Sequence, residues 1–378
     1  MKIALNVKAN QKLYRRNKNP LRILHIDGWL LLGILMLLSA STLLVYSASG
    51  GDTAVVTRHL VRIGFALGLM VVFAQIPPNI LYIFTPWLFL VGLLMLVAVI
   101  LFGDMGKGAQ RWLNLGPVRF QPSELMKLVL PMMVAWLFAH STLPPSYRRL
   151  FVGTLFIVLT AGLIIVQPDL GTSLLIAMSG LFVLFFAGLP WRIILGSITA
   201  AVVSLPVLWH FMHDYQKQRV LTFLDPESDP LGSGYHIIQS KIAIGSGGIE
   251  GKGFLGSTQA HLEFLPESTT DFIFSVLAEE FGLIGVIILL FMYALVIARG
   301  FYIASQAQDN FTRLIASSLM MTLFVYVFVN IGMVSGLLPV VGLPLPLMSY
   351  GGSAMVTLMI SFGILMSIHT HKKMLSDS

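Results

Sequence analysis

The sequence contains no cysteine and few charged residues. Without cysteine the 378-residue chain can form no disulfide, no thiolate nucleophile and no cysteine-ligated zinc site. Charged residues make up 11% of it, against about 25% in a soluble domain, while 56% of its residues are hydrophobic. Too few charged side chains remain to cover a soluble surface, which excludes a soluble enzyme, a disordered protein and a coiled coil. The composition therefore predicts a polytopic membrane protein.

Ten apolar runs are long enough to cross a bilayer, whose hydrocarbon core requires about 20 helical residues. Helices are expected because they satisfy their own backbone hydrogen bonds in lipid, and the alternating pattern of a membrane barrel is missing. We therefore predict an all-α polytopic fold, with one membrane domain at 29–369, a basic segment at 1–28 and a tail at 370–378. The predicted spans are Trp29–Tyr46, His59–Ile76, Ile80–Phe102, Pro122–His140, Leu150–Val166, Leu170–Leu189, Trp191–Phe211, Asp271–Ala298, Thr312–Val334 and Leu345–His369.

Lysine and arginine determine the predicted orientation, because cytoplasmic segments carry an excess of both. The N-terminal segment is rich in them, and counting loops alternately places Arg148, Arg149, Arg192, Arg299, Arg313, Lys372 and Lys373 on the same side. We expect both termini in the cytoplasm, a location in the inner membrane and an uncleaved first span. The formal charge of +7 follows this pattern, so no nucleic-acid partner is expected.

Two outer connections are longer than the rest, at 103–121 and 213–270, and long loops are usually functional or disordered. Within the second, Tyr235–Ile244 is amphipathic, which is typical of a helix along the membrane surface. The run Gly245–Gly253 resembles a phosphate-binding loop but lacks the Walker spacing and follows no strand. We interpret it as a flexible turn.

The first outer loop carries Lys107, Arg111 and Arg119, although short outer loops are normally poor in cations. One interpretation is contact with lipid headgroups. The other is a binding site for an anionic group such as a phosphate. Headgroups are phosphates too, so charge alone leaves both open.

Glu124 and Lys127 lie at the beginning of the fourth predicted span. Pro122 and Glu124 are ordinary choices for a helix N-terminus. Lys127 is not, because a cation at the centre of a membrane helix costs about 2.5–3.5 kcal/mol on insertion scales, and less near an end. The i,i+3 spacing lets the two side chains pair, and an ionisable pair inside a span indicates a functional site.

Asp271 begins the eighth predicted span, where aspartate often caps a helix. Because Thr270 already offers a cap, the Asp271 carboxylate could serve another purpose. Glu279 and Glu280 lie deeper, where we expect them to pair with a polar neighbour or mark a cavity floor. The topology places Glu124, Lys127 and Asp271 at similar depth on the outer side, so they could line one outward-opening cavity.

Seven segments distributed along most of the chain form a specific combination. They are Gly108–Leu113, Arg119–Glu124, Gln167–Thr172, Leu262–Glu267, Thr270–Phe274, Asn330–Gly332 and Leu347–Ser353. Together they resemble the SEDS family of peptidoglycan glycosyltransferases. Gly336–Pro344 resembles the elongation branch of the family more than the division branch. Thr269 departs from the family pattern, which commonly has histidine there, so a role for that histidine does not carry over.

The resemblance implies ten spans and polymerisation of lipid II, a disaccharide-peptide on undecaprenyl diphosphate, at the periplasmic face. It also implies a class B penicillin-binding protein as partner, which would supply the transpeptidase. Asp271 matches the family's essential aspartate, and Glu124 and Lys127 match its ionic pair.

The chemistry of such a transfer suggests a role for each candidate. A sugar hydroxyl attacks an anomeric carbon, and the departing diphosphate must meet positive charge. We expect Asp271 to act as general base or to hold a divalent cation, Mg²⁺ or Mn²⁺. Arg111, Arg119 and Lys127, with Lys107 as a further candidate, would contact the diphosphate.

Two other classes of function compete with this interpretation. A lipid flippase or transporter predicts ionisable groups at the midplane, discontinuous helices and inverted repeats. Only Glu279 and Glu280 lie deep, and the sequence shows no repeat. A non-catalytic scaffold would make Asp271 a helix cap that asparagine could replace.

Overall fold

The computed structural model describes residues 24–106, 109–114, 119–212, 214–225, 233–262, 264–265 and 267–371. The described chain is predominantly helical. Its helices are α1 Gly28–Ala48, α2 Thr53–Gln75, α3 Pro78–Phe102, α4 Pro122–Phe138, α5 Tyr147–Val166, α6 Leu170–Phe186, α7 Trp191–Phe211, α8 Asp214–Leu224, α9 Ser233–Gly247, α10 Thr258–His261, α11 Ile273–Ser305, α12 Asn310–Val334 and α13 Ser353–Thr370.

Each predicted span corresponds to one of these helices, namely α1–α7 and α11–α13. Seven of them are long and apolar enough to cross a membrane by length and composition. The others are α4 and α6, with 17 residues each, and α7 with 21. The fold is thus the multi-pass helical membrane protein that the composition predicts.

Several predicted helix starts differ from the structure, such as His59 against Thr53 for α2. Two of these differences matter for the site. The last span was expected from Leu345, but α13 begins at Ser353, because Pro344 and Pro346 lack the backbone N–H that a helix needs and the intervening residues form turns. The eighth span was expected from Asp271, but α11 begins at Ile273. Both differences leave irregular backbone beside the cavity described below.

Four helices begin at an aspartate whose side chain accepts a backbone N–H of the first turn. Asp27, Asp52, Asp169 and Asp309 cap α1, α2, α6 and α12 in this way. Such caps satisfy donors that no carbonyl of the helix can reach. The helices α3 and α4 begin instead with Pro78 and Pro122.

The centre of the bundle is formed by α4, α12 and α13. In α4 every residue from Met126 to Ala135 is buried. The most apolar stretches of α12 and α13 are 61% buried, against 22% for α2. A peripheral helix such as α2 therefore presents most of its apolar surface outward, to lipid, while α4 carries its polar residues into the protein interior.

A small antiparallel sheet forms in the described part of the connection 103–121, which was predicted to be an outer loop. Its strands are β1 Asp104–Gly106, β2 Ala109–Asn114 and β3 Arg119–Phe120, in the order β1-β2-β3. The Gln110 side chain donates to the Gly103 carbonyl at 2.7 Å and ties β2 to the end of α3. This connection was expected to be a loop, and its strands give Arg111 a defined position.

The helix α11 is broken at Gly282, whose φ is 59°. The turn Gly248–Gly253 fills the break with four backbone hydrogen bonds: Lys252 and Gly253 donate to Glu279 and Glu280, and Leu283 and Ile284 donate to Gly248 and Ile249. The interpretation of this run as a turn is confirmed from Gly248 onward, but the turn is anchored, because its hydrogen bonds replace the helical ones that the break removes.

The amphipathic segment forms α9, which buries one face against α11. Ile237, Ser240 and Ala243 are buried there. The Ser240 hydroxyl contacts that of Ser275 at 2.8 Å. The segment is helical as expected, but its inner face packs on the bundle. Residues 1–23 and 372–378, on which much of the predicted orientation depends, lie outside the described residues.

Candidate functional site

A polar cavity of about 440 Å³ opens among the ends of several helices on one side of the bundle, the side predicted to be the outer one. The structure places Glu124, Lys127, Asp271 and Arg111 in its lining, which is the arrangement that the topology suggested. The cavity is also lined by Gln121, Pro168–Thr172, Glu267, Thr270, Tyr326, Val341–Pro344 and Tyr350–Ala354.

Glu124 and Lys127 form a buried ion pair one turn into α4. Lys127 Nζ donates to Glu124 Oε1 at 2.7 Å and to the Tyr326 hydroxyl at 3.3 Å. The side chain of Lys127 is 9% exposed and that of Glu124 is 10% exposed. Glu124 Oε2 accepts no hydrogen bond within the described residues. The third ammonium proton of Lys127 is thus left for a ligand, whereas this carboxylate oxygen is buried.

Asp271 lies in the turn between Glu267 and Phe272, just before α11. The N-cap of α11 is Phe272, so Asp271 is not the N-cap residue but the residue before it. Asn330 on α12 holds the turn, since its amide donates to the Asp271 carbonyl at 3.0 Å. The Asp271 carboxylate lies near Gly342, where an added Cβ would be 3.6 Å from Oδ2. It is also within electrostatic range of the Tyr326 hydroxyl.

Arg111 extends from β2 to the beginning of α6. Its guanidinium donates to the Pro168 carbonyl at 2.9 Å and lies 3.4 Å from the Asp169 carboxylate. The side chain is 34% exposed, so part of it faces the cavity. Arg119 lies in β3, but its side chain and the whole of Lys107 are outside the described residues. Their contact with a diphosphate stays a prediction.

Sequence reasoning missed several residues of the cavity. Asp169 was visible as part of the segment Gln167–Thr172, but its ion pair with Arg111 joins positions far apart in the chain. Tyr326 is one aromatic residue in an apolar helix, and nothing local distinguishes it. Tyr350 reaches the cavity because its N–H donates to the Thr269 carbonyl at 2.8 Å. This main-chain contact needs no particular side chain at position 269.

Glu279 and Glu280 occupy a separate polar cluster behind the cavity. Glu279 accepts from Lys252 at 2.6 Å and from the hydroxyls of Ser257 and Thr258. Glu280 accepts from the Ser47 hydroxyl. The expectation that they pair with polar neighbours is correct, and neither is among the residues that line the cavity.

The described residues contain no group of three or more histidine or acidic side chains that could hold a metal ion. Asp271 and Glu267 do line the same cavity. Mg²⁺ is often held by one or two carboxylates together with phosphate oxygens of a substrate. The donor set therefore fits a cation that arrives with a diphosphate.

A comparison with known families now identifies the chain. The model of the FtsW/RodA/SpoVE cell cycle proteins matches residues 20–374. The chain belongs to the FtsW/RodA/SpoVE family. These are the SEDS proteins, so the resemblance of the motifs is confirmed.

Curated members of the FtsW/RodA/SpoVE family are similar along nearly the whole chain. The peptidoglycan glycosyltransferase MrdB of Escherichia coli K12 is 57% identical over 355 residues, which cover 94% of this chain and 96% of that protein. A probable peptidoglycan glycosyltransferase FtsW of Synechocystis is 37% identical, over 90% of this chain and 86% of its own length.

Solved structures of the family share the fold. A chain from a study of how a peptidoglycan synthase complex coordinates polymerization and crosslinking has a TM-score of 0.80 at 34% identity, covering 92% of this chain and 99% of its own. The rod shape determining protein RodA of Thermus thermophilus has a TM-score of 0.70 at 28% identity, covering 92% and 98%.

Proposed function

We propose that this chain is a peptidoglycan glycosyltransferase that polymerises lipid II into glycan strands during cell elongation, with release of undecaprenyl diphosphate. The observation that carries the proposal is the cavity in which Asp271, the Glu124–Lys127 pair and Arg111 meet. The glycosyltransferase names of family members at 57% and 37% identity support it.

In the proposed reaction an acceptor hydroxyl oxygen attacks the anomeric carbon of the donor. The bond between that carbon and the diphosphate oxygen breaks, and the diphosphate leaves with the electron pair. The Asp271 carboxylate takes the hydroxyl proton. A single displacement inverts the configuration at the anomeric carbon.

Lys127 and Arg111 would stabilise the charge that develops on the leaving diphosphate. The Lys127 ammonium donates one hydrogen bond to Glu124 and one to the Tyr326 hydroxyl, which leaves its third N–H for a phosphate oxygen. Arg111 has five donors, of which Pro168 and Asp169 engage part. Donors already fixed in place need no reorganisation as the charge forms.

We propose that a divalent cation, Mg²⁺ or Mn²⁺, binds together with the substrate and that Asp271 and Glu267 would hold it. Such a cation would neutralise part of the diphosphate charge. The residues that position the substrate and receive its proton are those already named.

The partner and the location are also proposals. One similar chain comes from a peptidoglycan synthase complex in which polymerization and crosslinking are coordinated. This supports a class B penicillin-binding protein as partner, since the crosslinking activity must be supplied separately. We further propose the inner membrane, with both termini in the cytoplasm and the cavity open to the periplasm.

The break in α11 beside Glu279 and Glu280 is the feature that most favours a transporter, because transporters bind substrates at discontinuous helices. Here the turn Gly248–Gly253 forms hydrogen bonds with the backbone groups that the break frees. Lys252 donates to Glu279, and the Ser47 hydroxyl donates to Glu280. Within the described residues the break anchors a loop and leaves no open site, so the glycosyltransferase is the better interpretation.

The test is polymerisation by the purified protein with its transpeptidase partner and labelled lipid II. Wild type should produce glycan strands, and Asp271→Asn should reduce their yield at least about 100-fold, the lower end of what general base catalysis contributes. Asp52→Asn is the matched control, because Asn also caps a helix and Asp52 lies outside the cavity lining.

Equal yields from wild type and Asp271→Asn would end the assignment of a base and favour a scaffold. Movement of labelled lipid II from one leaflet of a vesicle membrane to the other, without polymer formation, would favour the transporter.

A further inference from the structure

Arg62 on α2 lies behind the cavity wall, and the proposed reaction does not yet use it. Its guanidinium stacks over the Tyr350 ring at 4.4 Å from the centroid. Tyr350 lines the cavity, and so does Gly352, where an added Cβ would be 4.0 Å from Arg62 Nε. Arg62 is thus next to the cavity, but on a different segment from Arg111.

The position of Arg62 is held from the protein side. The Tyr350 ring also packs on buried His59, with centroids 5.7 Å apart. His59 contacts the Ser41 hydroxyl at 2.9 Å, and that hydroxyl donates to the Met348 carbonyl. A guanidinium held over a fixed ring by a cation–π contact still has its N–H donors for a bidentate anion.

Arg62 also borders the lipid. Val61 and Phe65, its neighbours on α2, are 68% and 63% exposed. No ion pair with a carboxylate is formed by Arg62 among the described residues. A cation between a lipid-facing surface and a polar cavity suits a ligand whose anionic head enters the protein while its apolar tail stays in the membrane.

The reaction requires two such ligands. If the proposed function is correct, donor and acceptor each carry a polyprenyl diphosphate, and only the diphosphate of the donor leaves. Lys127 and Arg111 account for the departing group. The diphosphate that the acceptor retains needs a cation of its own, outside the reacting centre.

We propose that Arg62 binds the diphosphate of the acceptor, whose polyprenyl tail stays in the lipid along the exposed face of α2. The inference rests on the proposed function and adds to it the entry path of the second substrate. Because this diphosphate does not change during the reaction, Arg62 contributes equally to ground-state and transition-state binding. Its loss should raise KM and leave kcat unchanged.

The experiment is formation of the first glycosidic bond from labelled lipid II, with its concentration varied, in neutral detergent with the partner present. Arg62→Gln should raise KM about tenfold, which corresponds to about 1.4 kcal/mol, with kcat within about twofold of wild type. Arg62→Lys should recover part of the loss, because lysine binds phosphate but does not reproduce the stacked fork. Arg111→Gln should lower kcat.

The matched control is Arg58→Gln, which removes the same charge from an exposed position on the same helix and should leave KM unchanged. An unchanged KM in Arg62→Gln, or a fall in kcat alone, would overturn the inference. A lowered unfolding temperature in Arg62→Gln that Arg62→Lys does not restore would show a structural role and overturn it as well.

Phospholipid headgroups share the phosphate chemistry, so the titration is repeated with added phosphatidylglycerol. A KM difference that appears only with this lipid would assign Arg62 to the headgroup and overturn the inference. If wild type forms no glycan, the proposed function fails. Binding of undecaprenyl diphosphate alone then tests Arg62, and equal affinity in wild type and Arg62→Gln would reject its role.

Discussion

At the scale of single residues, the cavity combines charges that would be unfavourable if they were alone. Lys127 is buried in a membrane helix. Glu124 and Tyr326 compensate the cost of burying its charge by accepting hydrogen bonds of 2.7 and 3.3 Å. Breaking a buried pair by removing one partner costs about 3–5 kcal/mol, whereas replacing both partners by apolar groups is often neutral. Mutation can therefore separate what this pair contributes to the stability of the protein from what it contributes to the activity.

Glu124→Gln should destabilise the protein, because it leaves the Lys127 ammonium buried without a counter-charge. The double variant Glu124→Met/Lys127→Met, in which both partners are apolar, should recover most of that stability and still fail to polymerise lipid II. Unfolding temperature in detergent and glycan yield are the two measurements. A double variant as unstable as the single one would contradict the proposed compensation.

At the scale of elements, the break in α11 and the turn Gly248–Gly253 depend on each other. Gly282 and Gly251 both have positive φ, at 59° and 82°. An added Cβ on Gly251 would lie 2.1 Å from the Glu280 carbonyl oxygen. The turn precedes the segment that carries Asp271, so its attachment to α11 helps to hold the carboxylate beside the cavity.

Gly251→Ala should therefore destabilise the protein by more than about 1–2 kcal/mol, which is the usual cost of a left-handed conformation for a residue with a Cβ. Gly248→Ala is the matched control. It also has positive φ, +57°, but an added Cβ there meets nothing within 4 Å. Unfolding temperatures of the two variants separate the clash from the backbone conformation. An equal fall in the unfolding temperature of both variants would mean that the close packing of Gly251 on α11 contributes nothing to stability.

At the scale of the whole molecule, Asp27 joins three helices at the end opposite the cavity. It caps α1, its Oδ2 lies 2.6 Å from Arg299 of α11, and it lies 2.9 Å from His369 of α13. Burial raises the pKa of Asp27, but hydrogen bonds from His369 and Arg299 outweigh burial and hold that pKa well below its usual range. The ionised carboxylate therefore stabilises the fold.

The sign of the pH dependence follows from this depressed pKa. The contribution of Asp27 is fully present above its unfolded pKa, about 4, and is lost as the pH falls below that value. The difference in unfolding temperature between wild type and Asp27→Asn should thus stay constant above about pH 5 and shrink below about pH 4. Arg299→Gln should weaken the same dependence. A difference that grows on acidification would refute the ion pair.

Composition and local spacing were enough for the membrane class, the helical spans and the pairing of Glu124 with Lys127, because apolar length and an i,i+3 step are properties of neighbouring residues. The contacts that give Tyr326, Asn330 and Arg62 their roles are visible only in the folded chain. Each acts on a segment far away in sequence: Tyr326 on Lys127, Asn330 on the Asp271 turn and Arg62 on Tyr350. No periodicity encodes such contacts, since the packing of one helix against another decides them.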